Sequence, residues 1–121
     1  MITVLLLAST LQAMAMRWEN LPPLPYRAPP AVTDQMSAFV GREVQMRRCP
    51  VAQARSVTVD VAVLVDEANG ICVAVPRAIR CPTVEQYAAA LVASFARSNL
   101  LPRPGAGEMW YKTSVTFSWA E

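Results

Sequence analysis

The segment VTVDVAVLVDEANGICVAVPRAI, residues 57–79, decides the fold of this chain. Valine recurs at alternate positions from Val57 to Val65, and this period of two predicts a strand with one apolar face. Apolar residues resume at alternate positions from Ile71, after the turn residues 66–70. Closing this turn brings both apolar faces together, which fixes the register of a hairpin. The predicted pairs are Val65 with Ile71, Val63 with Val73, Val61 with Val75, and Val57 with Ile79.

A helix from Thr83 to about Arg97 is predicted to cover this hairpin. A two-stranded ribbon with one apolar face is not stable alone in water, so another element must pack on it. Thr83 is a favourable N-cap, and Gln86 completes a capping-box pattern. The apolar stripe of this helix consists of Val84, Tyr87, Ala88, Leu91, Val92 and Phe95.

The last segment, Trp110 to Trp119, alternates apolar and polar residues and predicts a third strand. The order strand, strand, helix, strand indicates an α+β fold, a three-stranded antiparallel sheet with the main helix on one face. Residues 34–46 predict a second, short helix, although Val40 to Met46 fit an edge strand equally well. The predicted core is Val57, Val59, Val61, Val63, Val65, Ile71, Val73, Val75, Tyr87, Leu91, Phe95, Val115 and Phe117.

The composition excludes several classes of function. The chain has 121 residues, a net charge of +2 and no histidine. This weak, scattered charge does not fit a nucleic-acid-binding protein. The lack of histidine removes most general-base designs and most zinc sites, so we expect no metal, no cofactor and no enzymatic activity. No catalytic motif pairs the acids between the first and last strands of the domain, which are Asp60, Asp66, Glu67, Glu85 and Glu108.

The N-terminus predicts export. Residues 2–16 form an uncharged apolar run that is too short to span a bilayer comfortably. Ala13-Met14-Ala15 fits a signal-peptidase site, so we expect residues 1–15 to be a signal peptide. An uncleaved anchor, which would place the chain on a membrane, and a buried N-terminal segment are the alternatives. Residues 16–33 contain five prolines and predict a semi-rigid spacer before a domain of residues 34–121.

The three cysteines allow one disulfide and leave one thiol over. Cys81 follows the second strand of the hairpin, and Cys49 precedes the first strand in a loop that can fold back. The hairpin register therefore favours a Cys49–Cys81 bond, with three reduced cysteines as the alternative. Cys72 lies near the turn and is expected to be a small packed residue of the opposite sheet face.

These residues resemble a known family. The run Val57–Asp66, the turn at Asn69-Gly70 and the helix that begins at Pro82 are similar to the C-terminal domain of TonB-type energy transducers. Leu101-Pro102 and the final strand, residues 115–119, extend the similarity, which covers residues 50–120. The resemblance implies a periplasmic domain that binds a short peptide of an outer-membrane transporter by adding it to the sheet as a strand.

The last strand is the candidate edge for such a partner. Its outward face is polar, which suits a strand at the edge of a sheet. The candidate residues are Tyr111, Lys112, Thr113, Ser114, Val115, Thr116 and Phe117. The alternatives are a strand that only closes the core, with Lys112 discouraging further pairing, and a homodimer through the same edge. A structural or accessory cell-envelope protein with this fold is the second functional hypothesis.

Overall fold

The computed structural model describes residues 16–51 and 54–120. The predicted signal peptide, residues 1–15, lies outside the described residues. A short 3-10 turn at Trp18–Asn20 precedes two helices and three strands. These are α1 (Asp34–Met46), β1 (Ser56–Val65), β2 (Ile71–Pro76), α2 (Pro82–Ala96) and β3 (Met109–Ser118).

The three strands form one antiparallel sheet with the order β2-β1-β3. This confirms the predicted α+β fold. Residues 34–46 form a helix rather than an edge strand, and the Thr33 hydroxyl caps it by accepting the backbone N–H of Met36. The two helices are neighbours, since the rings of Phe39 and Tyr87 lie 4.6 Å apart. The face of the sheet toward these helices is called the inner face below.

The hydrophobic core lies between the helices and the inner face. All five alternating valines of β1 are buried, as predicted, together with Val115 and Phe117 of β3. Helix α2 buries half of its predicted stripe, namely Val84, Ala88 and Val92, and its small residues approach the sheet. Its buried residues are Val84, Ala88, Val92 and Ala96. The predicted core residues Tyr87, Leu91 and Phe95 are only partly buried at the margin of the helix.

A β-bulge changes the predicted register of the hairpin. Val65 faces Ile71 as expected, but Cys72 is an extra residue, and Val63 then faces Ala74 instead of Val73. Because one inserted residue turns the rest of a strand over, Val73 and Val75 lie on the outer face of the sheet. The prediction that they belong to the core is wrong, and Val73 is 42% exposed.

Two further consequences correct the hairpin prediction. Cys72 is exposed instead of packed, because it is the extra residue of the bulge. The pair of Val57 with Ile79 does not form either, since β2 ends at Pro76.

Helix α2 begins earlier than predicted, one residue before Thr83, the expected N-cap residue. Pro82 is the first helical residue, Cys81 occupies the N-cap position, and no side chain caps from there. The predicted Thr83–Gln86 capping box is therefore wrong. The Glu85 carboxylate instead accepts the backbone N–H groups of Ile79, at 2.9 Å, and Cys81, at 3.0 Å. A carboxylate in this first turn also interacts favourably with the helix dipole.

The proline-rich segment packs on the domain instead of acting as the expected spacer. Leu24 is 6% exposed and belongs to the hydrophobic core, and Trp18 is also buried. The backbone N–H of Arg27 donates to Asn99, and that of Leu101 donates to Pro25. Residues 18–27 are thus a part of the folded unit that pattern and composition did not reveal.

Candidate functional site

Strand β3 lies at one edge of the sheet, and alternate residues direct their backbone groups away from β1. The N–H of Trp119 donates to the carbonyl of Arg55 at 3.0 Å, so the backbone N–H of residue 119 points toward the β1 side. The other odd-numbered residues of β3 have the same orientation. Hydrogen bonding alternates in direction along an antiparallel pair, so the even-numbered residues of β3 point outward. These residues are Trp110, Lys112, Ser114, Thr116 and Ser118.

Two of these outward positions are covered by other parts of the chain. Lys112 donates its N–H to the carbonyl of Pro22 and accepts the N–H of Leu24, both at 2.8 Å, in a parallel bridge. The N–H of Ser118 donates to the hydroxyl of Ser37, a buried residue of α1, at 3.2 Å. The edge is therefore closed at both of these points.

Between these two points the edge is open. Ser114 and Thr116 each direct one N–H and one C=O outward, and no backbone or side-chain group of residues 16–51 or 54–120 bonds to them. We call these four groups the open window. Their side-chain hydroxyls point to the outer face, where Ser114 donates to Asp60 at 2.7 Å and Thr116 lies 2.8 Å from the hydroxyl of Thr58.

The proline-rich segment stops pairing with β3 for a local reason. Pairing with Ser114 would need the carbonyl of Leu24 and the N–H of Tyr26, but these two groups bond to each other at 2.9 Å. The next residue, Arg27, donates to Asn99 at 2.7 Å, which draws the chain away from β3. The segment therefore diverges from β3 after Leu24.

A groove fills the space where the two segments diverge. It has a volume of about 430 Å³ and runs beside residues 113–116 of β3. Its other walls are Tyr26, Pro29, Pro30, Val32 and, from α2, Phe95. Burial raises the pKa of Tyr26, and a hydrogen bond with Thr113 partly opposes this effect. We call this space the edge groove.

The predicted edge residues divide into three groups. Tyr111, Val115 and Phe117 are buried on the inner face, so they support the fold. The Tyr111 hydroxyl accepts a hydrogen bond of 2.7 Å from Arg103, which also donates to carbonyls of two loops. Thr113 lies on the inner face, and the backbone of Lys112 is covered. Of the predicted edge residues, only Ser114 and Thr116 direct outward backbone groups to which no described residue bonds.

The opposite edge, β2, is poorly suited to pairing. The N–H of Arg77 donates to the carbonyl of Asp60 at 2.8 Å, so alternation directs the backbone groups of Ala74 and Pro76 outward. Proline has no N–H, and the bulge at Cys72 interrupts the regular spacing. Natural proteins commonly protect edge strands by these two features.

The cysteines form the predicted disulfide. Cys49 and Cys81 are bonded, with their Cα atoms 5.4 Å apart, and join the end of α1 to the start of α2. Cys72 is a free and exposed thiol. Partial loss of hydration raises its pKa, and the negative charges of Asp66 and Glu108 raise it further.

Other kinds of site have little support in the structure. Three of the acids have structural hydrogen bonds: Asp60 with Arg77 and Ser114, Asp66 with its own turn, and Glu85 with the start of α2. Among residues 16–51 and 54–120, no group of three or more potential ligands is placed to hold a metal ion. No helix within the same ranges is long and apolar enough to cross a membrane.

No protein family, curated protein or solved structure matches this chain. The candidate site is consequently defined by its own geometry: the open window of Ser114 and Thr116, and the edge groove beside it.

The sequence pattern did not reveal the residues of the proline-rich segment that line this groove. Tyr26 lies between Pro25 and Pro29, and Val32 lies just after the last proline of the segment, Pro30. Together with Leu24, they are the signal in the sequence that this segment packs on the domain.

Proposed function

We propose that this chain is an exported interaction domain that binds an extended segment of another protein along β3. The observation that carries this proposal is the open window, since four unpaired backbone groups at a sheet edge are the attachment points that strand addition uses. The resemblance to the TonB C-terminal domain suggests a periplasmic location and an outer-membrane transporter as partner.

The length of the open edge supports a short partner segment. The covered positions Lys112 and Ser118 lie six residues apart, which corresponds to about 20 Å of strand. A segment of about five residues fits between them and can form up to four backbone hydrogen bonds. The edge of β2 is poorly suited to pairing, and this supports β3 as the strand to which a partner adds.

The disulfide supports the proposed location. Disulfides persist in oxidising compartments such as the bacterial periplasm and are rare in the cytosol. The Cys49–Cys81 bond is therefore compatible with export. The proposed role is binding without catalysis, since the open window consists of backbone groups and bears no ionisable side chain.

Amide hydrogen exchange tests this proposal. Synthetic peptides from the periplasmic N-terminal segments of outer-membrane transporters are added to the full chain, and the amides of Ser114 and Thr116 are followed. Binding by strand addition slows the exchange of both amides. If these amides stay fast with every peptide tested, the proposal is wrong.

The substitution Thr116→Pro gives a sharp test of the backbone contact. It removes the outward N–H of Thr116 but no hydrogen bond to β1, so the fold is expected to persist while peptide binding weakens at least tenfold. The matched variant Thr116→Ala keeps the N–H and loses only the side-chain hydroxyl and methyl groups, so it binds as the unmodified chain does. Equal binding by both variants would contradict strand addition at this position.

A second candidate is the structural or accessory cell-envelope protein. The covering of Lys112 by residues 22–24 and of Ser118 by Ser37 favours it, because these contacts close much of the edge. In that case no added peptide slows the exchange of the Ser114 and Thr116 amides.

A further inference from the structure

The direction of Val115 determines which side chain of a bound segment meets the edge groove. Neighbouring strands share the alternation of their side chains, so a residue opposite Val115 points to the inner side of the sheet, as Val115 does. Residues opposite Ser114 and Thr116 point to the outer face. This relation holds whether the added strand is parallel or antiparallel to β3.

The two sides differ in chemistry. On the inner side, the ring of Phe95, the side chain of Val32 and two prolines form apolar walls, and no charged residue lines the groove. Tyr26 adds an aromatic ring, and its hydroxyl is hydrogen-bonded with Thr113. A charged group there would lose hydration without gaining an ionic partner, which is costly. On the outer side, Ser114 and Thr116 present hydroxyls in a polar row with Asp60 and Thr58.

Resting on the proposed function, we infer that the bound segment carries a large apolar residue opposite Val115, with a polar residue on each side. The backbone of this polar–apolar–polar segment bonds to the open window, and its central side chain fills the edge groove. The groove of about 430 Å³ lies within the range of roughly 300–1,000 Å³ that is typical of ligand pockets, so it has room for one large side chain.

The occupant belongs to another protein instead of the described residues of this chain or a second copy of it. The described part of the proline-rich segment is held in place by the bonds of Leu24 and Arg27 and cannot shift along β3 without breaking them. A second copy of β3 has the polar–apolar–polar sequence at residues 114–116, but its Val115 is only 4% exposed. That side chain is already in the core of its own domain, so it is not free to enter the groove.

A host peptide series tests this inference on the full chain. The probes are capped peptides Ser-Thr-X-Thr-Ser, which match the five positions of the open edge, and X is Leu, Phe, Gly, Asp or Lys. Binding is measured from the NMR shifts of the Ser114 and Thr116 amides. The Leu and Phe peptides are expected to bind at least tenfold more tightly than the Gly peptide, because burial of such a side chain is worth about 1.5–3 kcal/mol. The Asp and Lys peptides bind no better than the Gly peptide.

The variant Val32→Asn tests whether the preference for an apolar residue at position X arises from the edge groove. It makes one wall polar without touching the open window, so the preference for Leu over Gly falls severalfold while both amides still respond. Leu101→Asn is the matched control, since Leu101 is 47% exposed and does not line the groove. An unchanged preference in Val32→Asn would overturn the assignment of the groove.

The outcomes separate the two proposals. If the five peptides bind equally and shift both amides, strand addition stands and the inference about the apolar residue fails. If no peptide shifts either amide, both fail. Concentration-dependent dimerisation that protects both amides without peptide would identify a second copy as the occupant, which also contradicts the inference.

Discussion

Gly41 of α1 lies directly against the indole of Trp119. A Cβ atom built on Gly41 would be 2.5 Å from Cγ of this ring, a distance that normal packing does not allow. The glycine therefore lets the end of β3 approach α1, next to the Ser37 hydroxyl that covers Ser118. The lack of a side chain at Gly41 thus helps to close one end of the open window.

Gly41→Ala is expected to destabilise the protein. The added methyl group overpacks the contact with Trp119, at a cost of about 1–3 kcal/mol, while the better helix propensity of alanine returns at most about 1 kcal/mol. Urea unfolding measures the difference. In a Trp119→Ala background the same substitution is expected to stabilise, and a loss of stability in both backgrounds would show that the ring is not the cause.

The exposed thiol of Cys72 is expected to react slowly at pH 7. Its raised pKa reduces the thiolate fraction, and the thiolate is the reactive form. The rate of alkylation by iodoacetamide is therefore expected to rise with pH only above the pKa of an ordinary thiol. Glu108→Gln removes one negative charge and speeds the reaction, whereas Glu67→Gln is the matched control. Equal rates in both variants would exclude the charge effect of Glu108.

At the scale of elements, the disulfide fixes the two helices to each other. It joins residues 32 positions apart in sequence, so in a chain-entropy treatment it stabilises the fold by about 3–4 kcal/mol. The double variant Cys49→Ser and Cys81→Ser is expected to lose about this much free energy of unfolding in a denaturant titration. Cys72→Ser is the control and should change little. Similar stability of both variants would contradict a structural role for the bond.

The bulge at Cys72 changes the orientation of the rest of strand β2. It turns the remainder of β2, so that small Ala74 faces Val63 on the inner side and the larger Val73 becomes exposed. The space above β2 is taken by α2, whose small residues Ala88 and Ala96 are fully buried. Small side chains on the facing elements let the helix approach closely.

For the whole molecule, the proline-rich segment is a structural part of the domain. Leu24→Ala is expected to lower the free energy of unfolding by about 2–5 kcal/mol, because Leu24 lies in the core. Leu101→Ala, at an exposed position, should change it by less than about 1 kcal/mol. Thermal denaturation compares them. Equal stabilities would mean that residues 18–27 are a spacer, as their composition predicts.

Local residue patterns were enough to predict the main elements of the fold. Val57 to Val65 specify a strand because alternation is written in neighbouring residues, and the spacing from Val84 onward specifies a helix for the same reason. The pairing of Cys49 with Cys81 followed from the hairpin and needed little more. The polar face of β3 likewise indicates an edge strand from the residue pattern alone.

The details of the site depend on contacts between residues that are distant in the sequence. The register beyond Val65 depends on a bulge, whose single extra residue leaves the alternating pattern of the sequence unchanged. The bond between Leu24 and Lys112 joins groups 88 residues apart, and local patterns carry no information about such contacts. The open window is what remains after these contacts form, so its position at Ser114 and Thr116 required the folded chain.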